Sequence, residues 1–175
     1  MKVAICNLSQ VPAPVVEHAK AEVSYVFRTM DVEIQWLECD QTVGARDEQA
    51  RPDFIVRVQV GGRTAMAGPV SLDAMGRAFM DETGYGYMVD TYYGAISDLT
   101  RRFPVAGSDQ LLGYTIVHEL GHLLIGAGHR PEGIMRPSWS KAELEALNHR
   151  SLRFSSWERA TIVRNLKARR NATRP

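Results

Sequence analysis

The stretch HELGHLLIGAGHRPEGIM, residues 118–135, holds three of the five histidines of the chain. On a helix, residues four apart share a face, so His118 and His122 can present two imidazole nitrogens to one zinc ion at ~2.0–2.1 Å. Glu119 lies about 100° further round such a helix. That offset keeps its carboxylate out of the ligand set but near enough to take a proton from water, the work of a general base. A catalytic zinc takes three protein ligands and leaves the fourth position to water. His129 is the candidate for the third. Gly126 can adopt the left-handed conformation that ends a helix, and Gly128 loosens the backbone just before His129. Glu143 or Glu145, on a later helix, is the rival third ligand. A buried, merely hydrogen-bonded histidine pair is the reading without metal, and the intervening Glu119 speaks against it. Chance alone produces His-Glu-x-x-His in about one sequence in a hundred of this composition.

These residues resemble the metzincin metalloproteases, whose motif His-Glu-x-x-His-x-x-Gly-x-x-His precedes a tight turn with a methionine beneath the metal. His118, Glu119, His122, Gly126 and His129 match in kind, and Met135 looks like the Met-turn residue. Leu123, Leu124 and Ile125 stand where the family pattern has two residues. The third histidine therefore arrives one position late, either because the helix runs one residue longer or because the turn carries an extra residue. The short spacing from His129 to Met135 resembles the compact matrixin and archaemetzincin-like members. No cysteine follows His129, so the additional structural zinc site of archaemetzincins has no ligands here.

The resemblance implies a zincin fold: an α+β chain with an α/β-like N-terminal half and a twisted, mostly parallel four-stranded sheet with an edge strand. The zinc helix crosses that sheet, and a small helical part follows. It also implies a zinc-dependent endopeptidase with one catalytic Zn²⁺, a metal-activated water, Glu119 as general base, and a peptide or protein substrate. The substrate would lie extended along an edge strand, and the segment 85–96 is the expected one. Two other classes stay open: a non-catalytic zinc-binding module on a protease-like fold, or another zinc amidase. Deformylase-like amidases add an upstream cysteine ligand, and neither Cys6 nor Cys39 has a matching context.

The elements that must position these residues follow from periodicity. KVAICNL at 2–8 reads as a buried strand, and Pro12 and Pro14 mark the entry to a helix. In that helix Val15, Val16, Ala19, Val23, Val26, Phe27 and Met30 recur at steps of three and four. DVEIQWLEC at 31–39 alternates like a half-buried strand, so strand, helix and strand form a parallel pair with a crossover. FIVRVQV at 54–60 is a third strand, ended by a turn at Gly61-Gly62. The segment 63–83 reads as loop with a short helical turn, and Tyr85–Ile96 as a fourth strand. Ser108 or Asp109 caps a helix over about 109–125. Ser140-x-x-Glu143 and Ser155-x-x-Glu158 are capping boxes for two later helices. In the last of these, Trp157, Ile162, Val163 and Leu166 make a narrow apolar stripe.

With 175 residues and 45% hydrophobic content, the chain suits one domain over 1–170 with a frayed basic tail at 171–175. A net charge of +1 gives no electrostatic reason for nucleic acid or a membrane surface as partner, and a monomer is expected. No apolar run reaches the length of a membrane span or a signal peptide, so the chain reads as soluble, with its compartment open: cytoplasmic, or secreted if a leader was removed. Tyr92, Tyr93 and Tyr114 read as packing residues and His18 and His149 as solvated. Cys6 and Cys39 each follow a strand; neighbouring parallel strands would let them pair, but two buried thiols is the expected state.

Overall fold

Along β3 (Phe54–Gln59) Phe54, Val56 and Val58 are fully buried while Ile55, Arg57 and Gln59 are half-buried. That alternation turns one side of the strand towards a layer of helices. In the computed structural model, residues 1–39, 51–61 and 74–172 are described. Gly62, most of the polar stretch at 40–52 and the first part of 63–83 lie outside them. β1 (Lys2–Asn7), β2 (Gln35–Glu38), β4 (Gly76–Phe79) and β5 (Met88–Tyr92) complete a five-stranded sheet in the order β2-β1-β3-β5-β4. All neighbours are parallel except β4, which runs antiparallel to β5. The helices are α1 (Ala13–Arg28), α2 (Tyr93–Arg102), α3 (Ser108–Ile125), α4 (Lys141–Asn148) and α5 (Ser156–Ala172).

The sheet departs from expectation at one end. The segment read as loop contains a fifth strand, β4, and β4 is the edge. Met88–Tyr92 is therefore an interior strand between β3 and β4, not an edge strand. The second half of 85–96 turns into α2, because Ile96 and Leu99 follow a helical step and pack on the core. Gly94 lets this turn pass close to β3's end, where a Cβ would come within 2.4 Å of the Val60 carbonyl oxygen. The second strand starts only at Gln35, after Val32 has already entered the core.

α3 is buried along nearly its whole length, from Leu111 to Leu124. Five aliphatic side chains, Leu111, Leu112, Ile116, Leu120 and Leu124, are each at most 1% exposed; each contributes roughly 1.5–3 kcal/mol of burial. On one side α3 meets α1 so closely that a Cβ on Gly113 would lie 2.9 Å from the Ala19 carbonyl oxygen. Its N-cap is Gly107 without a side-chain hydrogen bond, not Ser108 or Asp109; Asp109 instead sits in the first turn and reaches His18 at 3.1 Å. At the other end, carbonyls that a helix leaves unpaired are satisfied by α5: Asn165 donates to Leu124 O at 2.7 Å and Arg169 to Leu123 O at 2.8 Å.

Both capping boxes form: Glu143 receives the Ser140 N–H at 2.7 Å and Glu158 the Ser155 N–H at 2.6 Å. In α5, Ile162 and Leu166 are buried, but Trp157 is 54% exposed. It lies at the helix start, ahead of the turns that reach α3, and Arg130 stacks on it at 4.8 Å. α5 continues through Ala172, so the helix extends two residues into the expected tail. No described helix is long and apolar enough to cross a membrane.

Cys6 and Cys39 are bonded, correcting the expectation of two thiols. The register pairs Ile5 with Glu38, which sets the next residues opposite each other with 4.9 Å between Cα atoms, inside the range a disulfide needs. The bond closes a loop of sequence separation 33 around α1. Cys39→Ala is expected to lower unfolding stability by about 3 kcal/mol in denaturant titration, and an unchanged midpoint would mean that the bond contributes nothing.

Candidate metal centre

His118 and His122 lie one turn apart towards the C-terminal end of the buried α3, at 9% and 8% exposure. After Ile125 the helix stops: Gly126 takes a φ of 106° and Gly128 one of 107°, values that a side chain would oppose. The extra residue of the motif is thus absorbed by the helix, which runs on through Ile125, and the chain turns back at Gly126. His129 then reaches the helical pair. One ligand atom from each of His118, His122 and His129 lies within 4.8 Å of the others, with ring centroids 4.8 to 5.3 Å apart.

The imidazoles are oriented by backbone. His118 Nδ1 donates to the Ile134 carbonyl at 2.7 Å, and His122 Nδ1 faces the Gly126 carbonyl at 3.4 Å. Each Nδ1 faces an acceptor, so each Nε2 carries a lone pair. These two Nε2 atoms are only 3.1 Å apart. With both protons on Nδ1, two lone pairs that close repel unless a cation sits between them. Two imidazoles on one tetrahedral zinc at ~2.0–2.1 Å have nitrogens about 3.3 Å apart, so the donor set fits that ion. Burial holds the His118 imidazole down at about 4, despite the opposing bond to Ile134, and lowers His122 as well. Both are neutral at pH 7, the form in which an imidazole can ligate.

Met135 is 1% exposed and seats against α3 between the two histidines: a Cβ on Gly121 would lie 2.5 Å from its Sδ. The loop before it is closed by the Arg130 N–H donating to Met135 O at 2.8 Å. Gly133, with a φ of 76°, lets the loop pass the Arg153 carbonyl. Ile134 O also accepts from Trp139 Nε1 at 3.3 Å.

Glu119 lies outside the imidazole cluster and against β4. It is 6% exposed, and burial pushes its carboxyl up to about 8 against a hydrogen bond from the Ala78 N–H. The carboxylates that rivalled His129 are elsewhere. Glu143 is bound by Ser140 and Arg136, which hold it down at about 2, with the Ser140 hydroxyl foremost, and Glu145 faces Lys141 at 3.6 Å. Neither belongs to the described histidine cluster. Tyr92 and Tyr114 are buried, and Tyr93 meets Ser108 at 3.2 Å; none of the three lines the cleft.

That cleft, of about 340 Å³, opens over His118, Glu119 and His129. Its walls are Met75 with Gly76 at the start of β4, α2 at Leu99 and Arg102, and the segment 136–139. Sequence reasoning found the floor and missed two walls. GRAF is too short to display a period of two, and α2 was masked by a run of strand-favouring tyrosines.

No family model matches the chain, and no curated protein does. Among solved structures, the crystal structure of an archaemetzincin from Methanopyrus kandleri aligns with 95% of this chain and 96% of its own, at a TM-score of 0.63 and 18% identity. The fold is that of an archaemetzincin. The five-stranded, mostly parallel sheet and five helices described above match it, so the archaemetzincin fold is held here by a sequence with little residual identity.

His118 and Glu119 act on stability in opposite directions. His118, lowered, favours the metal-free fold as pH rises from about 4 to its ordinary 6.5. Glu119, raised, costs stability as pH climbs from its ordinary 4.5 to about 8. Between 6.5 and 8 the carboxyl acts without His118. In chelator, the stability of Glu119→Gln relative to the parent is therefore expected to improve by about 2 kcal/mol across that window; a difference independent of pH would show that the carboxyl titrates normally.

Proposed function

We propose that this chain is a zinc-dependent endopeptidase in which His118, His122 and His129 hold one Zn²⁺ and Glu119 is the general base. The observation that carries the reading is the convergence of three imidazoles beside a carboxyl that takes no part in their cluster. A structural zinc site is closed by four protein ligands and has no use for such a carboxyl. The archaemetzincin fold supports the same class, and the matrixin likeness of the short His129 to Met135 spacing stands beside it.

When bound, zinc would supply a Lewis acid that polarises a carbonyl and lowers the pKa of water towards ~7. Glu119, raised by burial, would be favoured in its ionised form by a bound cation, and the carboxylate then accepts a proton from the attacking water as the new C–O bond forms. It returns that proton to the amine nitrogen as the C–N bond breaks, so the carboxylate ends as it began. Ile134 O keeps His118 in the tautomer that ligates. Met135 supports the helical pair from below. A peptide substrate lies extended along β4, the edge strand, in place of the segment 85–96. Nucleic acid and membrane have no part in this reading, and the working unit is a monomer.

Casein or a quenched peptide should be cleaved by the zinc-loaded chain, and cleavage should stop with a chelator. Glu119→Gln should retain zinc by elemental analysis but lose turnover by about 10²–10⁴-fold. Hydrolysis that survives metal removal, or a fully active Glu119→Gln, would sink the assignment. His129→Ala should release zinc at a chelator concentration the parent resists; unchanged retention would remove His129 from the ligand set.

A further inference from the structure

Gly76 occupies the first position of a four-residue edge strand, where a residue without a side chain weakens pairing and needs a reason. The usual reason is absent. Among the described residues, the glycines with positive φ are Gly84, Gly126, Gly128 and Gly133. The backbone at Gly76 is therefore one that any residue adopts.

The reason lies across the gap to α3. Gly76 pairs with Thr91 and Ala78 with Val89, which turns both towards the helix layer. A Cβ built on Gly76 would lie 2.7 Å from both Cγ and Oε1 of Glu119, and 2.9 Å from its Cδ, where ordinary contact starts at 3.4 Å. The carboxyl thus rests directly on the strand backbone, in the space a methyl group would fill. Glu119 cannot retreat into solvent, since it is 6% exposed. The open space beside it is the cleft that it shares with His118 and His129, so a displaced carboxylate moves towards the imidazoles and competes as a ligand.

We infer that Gly76 is a positioning residue: its missing side chain seats the Glu119 carboxyl on β4, beside the histidine cluster and out of it. This rests on the reading of Glu119 as the base. A base displaced by about 1 Å loses on the order of 10²-fold in rate, whereas a peptide held by the rest of the cleft still binds.

Gly76→Ala in the full chain should lower kcat by about 10²-fold with KM little changed and zinc content at the parent's level. A thermal-unfolding cycle gives a second reading that does not need turnover. Gly76→Ala should lower the Tm of the parent but raise that of Glu119→Ala, where the obstructing carboxyl is gone and only the backbone benefit of alanine remains. Parental kcat in Gly76→Ala, or Tm changes that simply add, would overturn the inference. A parent chain that hydrolyses nothing would instead sink the function reading, while the unfolding cycle would still decide whether the two residues compete for one space.

Discussion

Two imidazole lone pairs held 3.1 Å apart are the constraint on which the rest of the site depends. Neighbouring acceptors normally relax by rotating or by taking up a proton. Both are opposed here, because the Nδ1 atoms face backbone carbonyls and burial opposes the charged form. The spacing is the one that a shared cation asks of two imidazoles. Such preorganisation is expensive for an isolated helix and affordable only in a rigid frame.

That frame is the sealing of α3. A helix apolar on every side must be wrapped on every side, and here α1, the sheet, α2, α4 and α5 all touch it. Gly113 allows the approach to α1, Gly121 the seat of Met135, and Asn165 and Arg169 bind the carbonyls near the histidine end. Only that end meets the cleft. The helix is core for most of its length and carries the histidine pair and Glu119 in its last two turns, and the same burial that steadies it shifts the titration of His118 and Glu119.

Much of this was legible from residue spacing. The i, i+4 pair, the intervening glutamate and the two glycines before His129 all encode local geometry, which a sequence carries directly. The parallel β1-α1-β2 unit and both capping boxes were readable for the same reason. What escaped depends on distant partners. β4 is a strand because β5 and Glu119 are next to it, not because GRAF alternates. The bond between Cys6 and Cys39 follows from the register of β1 on β2, which no single strand reveals. Trp157 looked apolar enough for the core, yet its place ahead of the packed turns of α5 leaves it outside. Tyr92 and Tyr93 favour strand, and only the tertiary step from β5 to α2 decides that one ends a strand and the other starts a helix.

The Ile134 carbonyl oxygen is shared between His118 and the indole of Trp139. An oxygen with both lone pairs committed has no capacity left for solvent, and its peptide plane cannot swivel without stranding two buried donors at once. The cleft wall and the imidazole are therefore mechanically one piece. A displacement of the indole is passed, through a single atom, to the His118 ring.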